Sequence, residues 1–188
     1  MVILVISYLI GSIPFGLIIT RLAGLGDLRK IGSGNIGATN ALRTGNKWVA
    51  ILTLILDVAK GIAPVLLAKT YGDNFCLAGV LATIGHIFPV WLKFKGGKGI
   101  ATSFGVVAAL NWQICIIALL VWLVIFKLYK YSSLSSITAM LTASCLSPIY
   151  ATESEFYATL ALSLITVLRH RQNIVRLINH QEPKTSVG

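Results

Sequence analysis

The chain has 188 residues, of which 56% are hydrophobic and only 12% charged, and its formal net charge is +10. Soluble domains carry about 25% charged residues, so this composition excludes a soluble globular protein and indicates burial in lipid. The basic residues lie between apolar runs and form no continuous stripe, which favours anionic lipid over nucleic acid as the partner of the positive charge. The cysteines form no C-x-x-C motif, so we expect no metal, no redox centre and no cofactor.

Seven apolar stretches are predicted to cross the membrane as helices, since a span needs about 20 apolar residues. They cover residues 1–20, 48–68, 74–92, 99–110, 113–126, 133–150 and 156–168. The fourth and fifth come from one uncharged run that the polar Asn111-Trp112-Gln113 divides. Residues 179–188 form a polar tail that we expect to be frayed. The predicted fold is a single all-α membrane domain over residues 1–188.

The positions of lysine and arginine decide whether the run 99–126 crosses once or twice. With two crossings and the N-terminus outside, 14 of the 16 basic residues fall in loops on one side, and Lys69 alone lies on the other. One long crossing would place Lys127 and the basic tail on opposite sides. Because cytoplasmic loops are rich in lysine and arginine, we expect seven spans, an N-terminus outside and a cytoplasmic C-terminus.

Two charges, Asp57 and Lys60, lie three residues apart inside the second predicted span. Charged residues within a span usually pair with each other or face a polar cavity. A structural ion pair is therefore the expected role of these two residues, in preference to catalysis.

The first cytoplasmic loop has the sequence Gly32-Ser33-Gly34-Asn35-Ile36-Gly37-Ala38-Thr39-Asn40-Ala41-Leu42-Arg43. Its glycines permit positive φ angles, so that successive N–H groups can converge on an anion. Arg43 adds a planar guanidinium suited to phosphate. The loop also matches G-x-G-x-x-G, but a dinucleotide site requires a preceding strand, and membrane helices flank this loop. A flexible turn is the simpler alternative, although it would need neither Arg43 nor so many polar donors.

A second motif combines Gly85-His86-Ile87-Phe88-Pro89 with Phe94-Lys95-Gly96-Gly97-Lys98-Gly99. The glycines indicate a loop before a new helix, with Lys98 placed to meet a phosphate at the helix N-terminus. The motif is not a Walker A loop, because Leu92 and Gly99 stand where the first glycine and the Ser/Thr would be. An ordinary basic cytoplasmic loop remains the alternative, and His86 by itself is more typical of a packed, hydrogen-bonded residue than of a catalyst.

A third motif ends the last predicted span with Arg169-His170-Arg171-Gln172-Asn173-Ile174-Val175-Arg176. In one continuous helix, Arg169, Asn173 and Arg176 would share a face. A basic anchor for anionic lipid is the alternative role. Several serines open the sixth span, and helix capping is their simplest explanation. All three motifs fall on the cytoplasmic side, and three such segments at one face favour a phosphate site.

These motifs resemble those of the bacterial acyl-phosphate-dependent glycerol-3-phosphate acyltransferases: G-S-G-N-x-G-A-T-N-x-x-R, G-H-x-F-P with F-x-G-G-K-G, and R-H-x-x-N-I-x-R. The resemblance runs from the segment 11–16 to Arg176. It implies a seven-span protein of the bacterial inner membrane whose active site faces the cytoplasm. It also implies transfer of an acyl chain from acyl-phosphate to the sn-1 hydroxyl of glycerol 3-phosphate, which gives lysophosphatidic acid and begins phospholipid synthesis. A soluble enzyme that makes acyl-phosphate is an implied partner.

The resemblance also guides the assignment of residues to roles. Catalytic roles are expected for Ser33, Arg43, Lys98, His170 and Asn173. Substrate binding is expected for Gly32, Gly34, Asn35, Gly37, Thr39, Asn40, Gly96, Gly97 and Ser136. The glycine loop with Ser33 is assigned to acyl-phosphate, and Arg43, Lys98, Ser136, His170 and Asn173 are assigned to glycerol 3-phosphate.

Two questions about the activity stay open at this point. The proton acceptor is either His170 or an oxygen of the acyl-phosphate. A transporter for a phosphorylated solute is the alternative function, although little that is polar lies at mid-membrane beyond Asp57 and Lys60. A lipid-binding scaffold would not need three loops suited to phosphate.

Overall fold

The computed structural model describes residues 1–185, and the regular structure of that part of the chain is helical. The α-helices are α1 (Val2–Gly11), α2 (Phe15–Leu22), α3 (Ala38–Ala41), α4 (Lys47–Thr70), α5 (Phe75–Ile87), α6 (Ile100–Leu110), α7 (Trp112–Tyr129), α8 (Ser132–Tyr150), α9 (Glu153–Arg169) and α10 (Arg171–Ile178). The contacts between residues group the chain into two compact units, Met1–Ala109 and the part that begins at Leu110.

The first predicted span is broken in the structure. Helices α1 and α2 meet at an angle of 42°, and Pro14 stands at the N-terminal cap of α2. Proline has no N–H, and inside a helix its ring would clash with the carbonyl four residues earlier. The predicted span over residues 1–20 therefore consists of two short helices in the structure.

Glycines allow the helices of the first unit to pack backbone against backbone. A Cβ atom at Gly61 would overlap the carbonyl of Thr102 on α6, and a Cβ at Gly105 would overlap the carbonyl of Val58 on α4. Gly85 of α5 lies in the same way against the backbone of α1. Small residues at helix crossings permit this close approach in membranes. The loops at the ends of α4, α5 and α6 are therefore held on a tightly packed helical frame.

The second unit is built on α8, which packs against both α7 and α9. Hydroxyl groups join these helices: the Ser147 and Thr159 hydroxyls lie 2.7 Å apart, and the Ser163 hydroxyl donates to the Met140 carbonyl at 2.5 Å. Such bonds are typical of membrane helices that contain serine and threonine. Asn111 caps α7 by accepting a hydrogen bond from the N–H of Ile114 at 3.0 Å, so the predicted break at Asn111 is confirmed.

Within residues 1–185, three helical segments are long and apolar enough to cross a membrane: Lys47–Thr70, Phe75–Leu92 and Trp112–Tyr129. The bent pair α1–α2 makes a fourth if it counts as one span, and α6 is a shorter apolar helix. Leu120 and Val124 on α7 are more than half exposed, as lipid-facing residues are. The count of seven spans stays a prediction.

The tail that follows α10 is not frayed over its described part. The N–H of Thr185 donates to the Lys130 carbonyl at 2.9 Å, and the side chain of Glu182 is only 6% exposed. The prediction of a frayed tail was wrong for these two residues, because long-range hydrogen bonds hold them against the second unit. Residues 186–188 of the predicted tail lie outside the described residues.

Candidate active site

The glycine loop of the first unit (residues 32–37) contains two glycines with a left-handed backbone. Gly32 and Gly34 adopt φ angles of +51° and +70°, a region that other residues rarely enter. The N–H of Gly34 closes a turn by donating to the Ile31 carbonyl at 2.9 Å. Gly37 instead has an extended backbone and caps α3. Two of the three glycines thus have the conformation that the sequence indicates.

Asn40 organises this loop from the inside. Its Oδ1 accepts a hydrogen bond from the N–H of Ser33 at 3.1 Å, and its Nδ2 lies within 3.0 Å of three backbone carbonyls. These carbonyls belong to Leu28, Ile31 and Asn35. Asn40 is only 1% exposed, so its polar atoms are committed to the loop itself. The structure therefore gives Asn40 a part in shaping the site, where the sequence alone suggested contact with substrate.

Arg43 places a positive charge on the glycine loop. A Cβ atom at Gly32 would lie 2.6 Å from Cδ and 2.7 Å from Nη1 of Arg43, so the guanidinium rests on the loop backbone. Within residues 1–185, no carboxylate lies within ion-pair distance of Arg43, and Arg43 is exposed. Ser33 is exposed beside it. An unneutralised guanidinium on an exposed loop suits a phosphate.

Unlike Arg43, the two arginines that precede the glycine loop, Arg21 and Arg29, form ion pairs. Asp27 lies 2.5 Å from Arg29 and 3.4 Å from Arg21. Hydrogen bonds from the side chain and backbone of Arg29 hold the pKa of Asp27 well below its usual range. These two arginines therefore share one carboxylate as an ion-pair partner, which separates them from Arg43.

The Lys98 loop (residues 94–99) folds back onto the C-terminal end of α5. The N–H of Gly96 donates to the Ile87 carbonyl at 3.0 Å, and the N–H of Gly97 donates to the His86 carbonyl at 3.1 Å. A Cβ atom at Gly97 would overlap Nε2 of His86, so only glycine fits there. Gly99 has a φ of +84° just before α6 begins. Lys98 is half-buried directly before the first turn of α6, as the sequence predicted.

His170 stands at a break between two helices, because α9 ends at Arg169 and α10 begins at Arg171. The single continuous helix in which Arg169 would share a face with Asn173 and Arg176 is therefore interrupted at His170. His170 is 2% exposed, and its Nδ1 lies 2.8 Å from the Thr166 carbonyl. A carbonyl can only accept, so Nδ1 carries the proton, and Nε2 is then the basic nitrogen of the neutral ring.

Glu182 contacts a predicted site residue, and the sequence motifs did not reveal this contact. Its carboxylate accepts hydrogen bonds from Ser133 at 2.7 Å, Asn173 at 2.6 Å and Arg176 at 2.8 Å. Burial alone would raise the pKa of Glu182, but these hydrogen bonds together lower it below its usual value. The one available signal was a lone acidic residue in a basic tail. The tail thereby fixes Asn173, which is one of the predicted site residues.

The remaining predicted residues fall into the same two units. Ser136 of α8 is buried, and its hydroxyl donates to the Ser132 carbonyl at 2.7 Å while it accepts from Nε1 of Trp122 at 3.2 Å. Asn35 accepts a hydrogen bond from the N–H of Ile36 at 3.1 Å, and Thr39 is exposed on α3. The first unit thus carries the glycine loop and the Lys98 loop, and the second unit carries Ser136, His170 and Asn173.

Comparisons with known proteins find similar sequences over almost the whole chain. The family model described as glycerol-3-phosphate acyltransferase matches residues 1–180. A protein named glycerol-3-phosphate acyltransferase from Ehrlichia chaffeensis is 46% identical, over 100% of this chain and 97% of its own length. A protein of the same name from Mesorhizobium japonicum is 52% identical, over 96% and 93% of the two chains.

Solved structures show the same fold. The integral membrane glycerol 3-phosphate acyltransferase PlsY (YgiH), in its glycerol 3-phosphate form, superimposes with a TM-score of 0.92 at 37% identity, covering 98% of this chain and 94% of its own. Its lysophosphatidic acid form gives a TM-score of 0.90 over 97% and 93% of the two chains. With apolar helices like those of this integral membrane enzyme, the chain belongs to the glycerol-3-phosphate acyltransferase family.

Proposed function

We propose that the protein transfers an acyl chain from acyl-phosphate to the sn-1 hydroxyl of glycerol 3-phosphate, which gives 1-acyl-glycerol 3-phosphate and inorganic phosphate. The observation that carries the proposal is the unneutralised Arg43 guanidinium resting on Gly32 of a positive-φ glycine loop. Both substrates carry a phosphate, so the reaction needs two anion pockets. The PlsY structures in glycerol 3-phosphate and lysophosphatidic acid forms support the identity of acceptor and product.

The glycine loop with Ser33 is the proposed pocket for the phosphate of the donor. Ser33 offers its hydroxyl as a hydrogen-bond donor and does not become acylated. Arg43, Lys98, Ser136, His170 and Asn173 are the proposed ligands of glycerol 3-phosphate. The cytoplasmic face of the bacterial inner membrane is the proposed location, because the basic loops that hold these residues belong there by the positive-inside rule.

The proposed chemistry is one displacement at the acyl carbon. The sn-1 oxygen forms a bond to this carbon, the bond between the carbon and the phosphate oxygen breaks, and the hydroxyl proton passes to a base. Acyl-phosphate is a mixed anhydride with a good leaving group, so positioning and charge stabilisation can supply most of the rate. The base is either Nε2 of His170 or an oxygen of the departing phosphate.

The test uses purified protein in detergent with synthetic acyl-phosphate and glycerol 3-phosphate, with a chelator present. We expect equal amounts of lysophosphatidic acid and inorganic phosphate, and no product when acyl-CoA replaces acyl-phosphate. Equal turnover of acyl-CoA would overturn the donor assignment. Liposomes that accumulate glycerol 3-phosphate without acylating it would indicate a transporter instead. The soluble enzyme that makes acyl-phosphate is the proposed supplier of the donor.

A further inference from the structure

A buried polar chain links the helical frame of the first unit to the Lys98 loop. It begins at the break between α1 and α2, where the Lys60 ammonium donates to the Ile13 carbonyl at 2.7 Å. The same ammonium lies 2.7 Å from Oδ1 of Asp57, one turn away on α4. Both side chains are only 2% exposed. The predicted ion pair is thus confirmed, and Lys60 is anchored to a second element of the frame.

His86 is the next residue in this series of buried polar groups, and it lies between the ion pair and the Lys98 loop. Its Nδ1 lies 3.8 Å from Oδ1 of Asp57, and its Nε2 faces Gly97 so closely that a Cβ there would overlap the ring. The carbonyl of His86 also accepts the N–H of Gly97. The imidazole therefore fills the space between a fixed carboxylate and the residue next to Lys98.

We propose that Asp57 and His86 are positioning residues that hold the Lys98 loop where Lys98 can reach the phosphate of glycerol 3-phosphate. The inference rests on the proposed function and adds to it a set of residues that never touch substrate. The carboxylate of Asp57 lies against one edge of the His86 ring, and the opposite edge of the ring packs against Gly97. If the Asp57–Lys60 pair only stabilised α4, the position of His86 between Asp57 and Gly97 would have no role.

The kinetic test compares Asp57→Asn with wild type in steady-state assays with both substrates. We expect KM for glycerol 3-phosphate to rise about fivefold or more and KM for acyl-phosphate to stay unchanged. Coupled residues are not additive, so in a Lys98→Ala background Asp57→Asn should change KM by less than about twofold. Thr53→Val is the matched control, since Thr53 is buried on the same helix and its hydroxyl donates to the Val49 carbonyl within that helix. Additive effects of Asp57→Asn and Lys98→Ala would overturn the inference.

A second measurement does not depend on turnover. Hydrogen exchange of the backbone amides in residues 94–99 should be faster in Asp57→Asn than in Thr53→Val, while exchange in α8 stays equal, because a loosened loop opens locally. Equal exchange in the loop would overturn the inference. If Asp57→Asn does not fold, His86→Asn applies the same tests, since it keeps the ion pair and removes the ring edge that supports Gly97.

The two levels of the proposal can fail separately. If the wild-type protein forms no product, the proposed function is rejected. If Lys98→Ala has normal kinetics, the proposed role of Lys98 in binding phosphate is rejected. Wild-type activity and a damaged Lys98→Ala variant, together with an Asp57→Asn variant that matches Thr53→Val, would reject only the positioning role.

Discussion

Removing the charge of Glu182 tests whether the C-terminal tail stabilises the second unit. Three side chains donate hydrogen bonds to this carboxylate: Ser133, Asn173 and Arg176. The variant Glu182→Gln keeps the size of the side chain and one amide oxygen, but it removes the charge. A hydrogen bond to a charged group contributes about 1.5–3 kcal/mol. We therefore expect the free energy of unfolding to fall by roughly that amount, since Arg176 loses its charged acceptor.

The assay is thermal unfolding in detergent at neutral pH. Proteins of about 150–250 residues lose roughly 2–4 °C in Tm for each kcal/mol, so Glu182→Gln should melt roughly 3–12 °C below wild type. Glu182→Ala should be worse, because Ser133, Asn173 and Arg176 then all lose their acceptor. Glu153→Gln is the matched control, since Glu153 is exposed at the start of α9. Equal melting temperatures for Glu182→Gln and Glu153→Gln would refute the argument.

The pH dependence of the same variant has a definite sign. Hydrogen bonds lower the pKa of Glu182 below its ordinary value of 4.5 in the folded protein. The stabilisation is therefore fully present above about pH 4.5 and is lost as the pH falls through the folded pKa. Glutamine does not titrate, so the difference in Tm between wild type and Glu182→Gln should shrink below that pH. A difference that stays constant down to pH 3 would contradict the assignment of the effect to the carboxylate.

Three further predictions concern the anion pockets and the topology. Arg43→Ala and Lys98→Ala should each lose roughly tenfold or more in kcat/KM for glycerol 3-phosphate. Arg43→Lys should also lose activity, because lysine lacks the planar guanidinium. If Arg43→Ala and Lys98→Ala had the same kinetics as Lys130→Ala, Arg43 and Lys98 would not bind the phosphate. Mass spectrometry after incubation with acyl-phosphate should find no acyl group on Ser33, and a trapped acyl-enzyme would instead show covalent catalysis. A reporter fused after Asn111 should lie outside the membrane and one after Lys130 inside, and both on one side would exclude seven spans.

Local sequence determined those features of the protein whose causes lie within a few residues. The asparagine at position 111 predicted the boundary between α6 and α7, because its side chain caps the helix that follows it. Gly32 and Gly34 predicted positive φ angles, since only glycine enters that region without cost. Asp57 and Lys60, one turn apart in an apolar helix, predicted an ion pair because neither charge could remain alone in the membrane.

Tertiary structure alone decided the roles of residues whose partners are distant in sequence. His86 lies against Gly97, and Glu182 bonds to Ser133 across 49 positions, so neither contact has a local pattern. Asn40 looked like a substrate ligand, but the fold turns it inward, where its side-chain NH2 group faces three backbone carbonyls. Burial leaves such polar groups no water to bond with. Their partners are therefore set by which segments the packed helices bring together, and the order of residues along the chain does not record that.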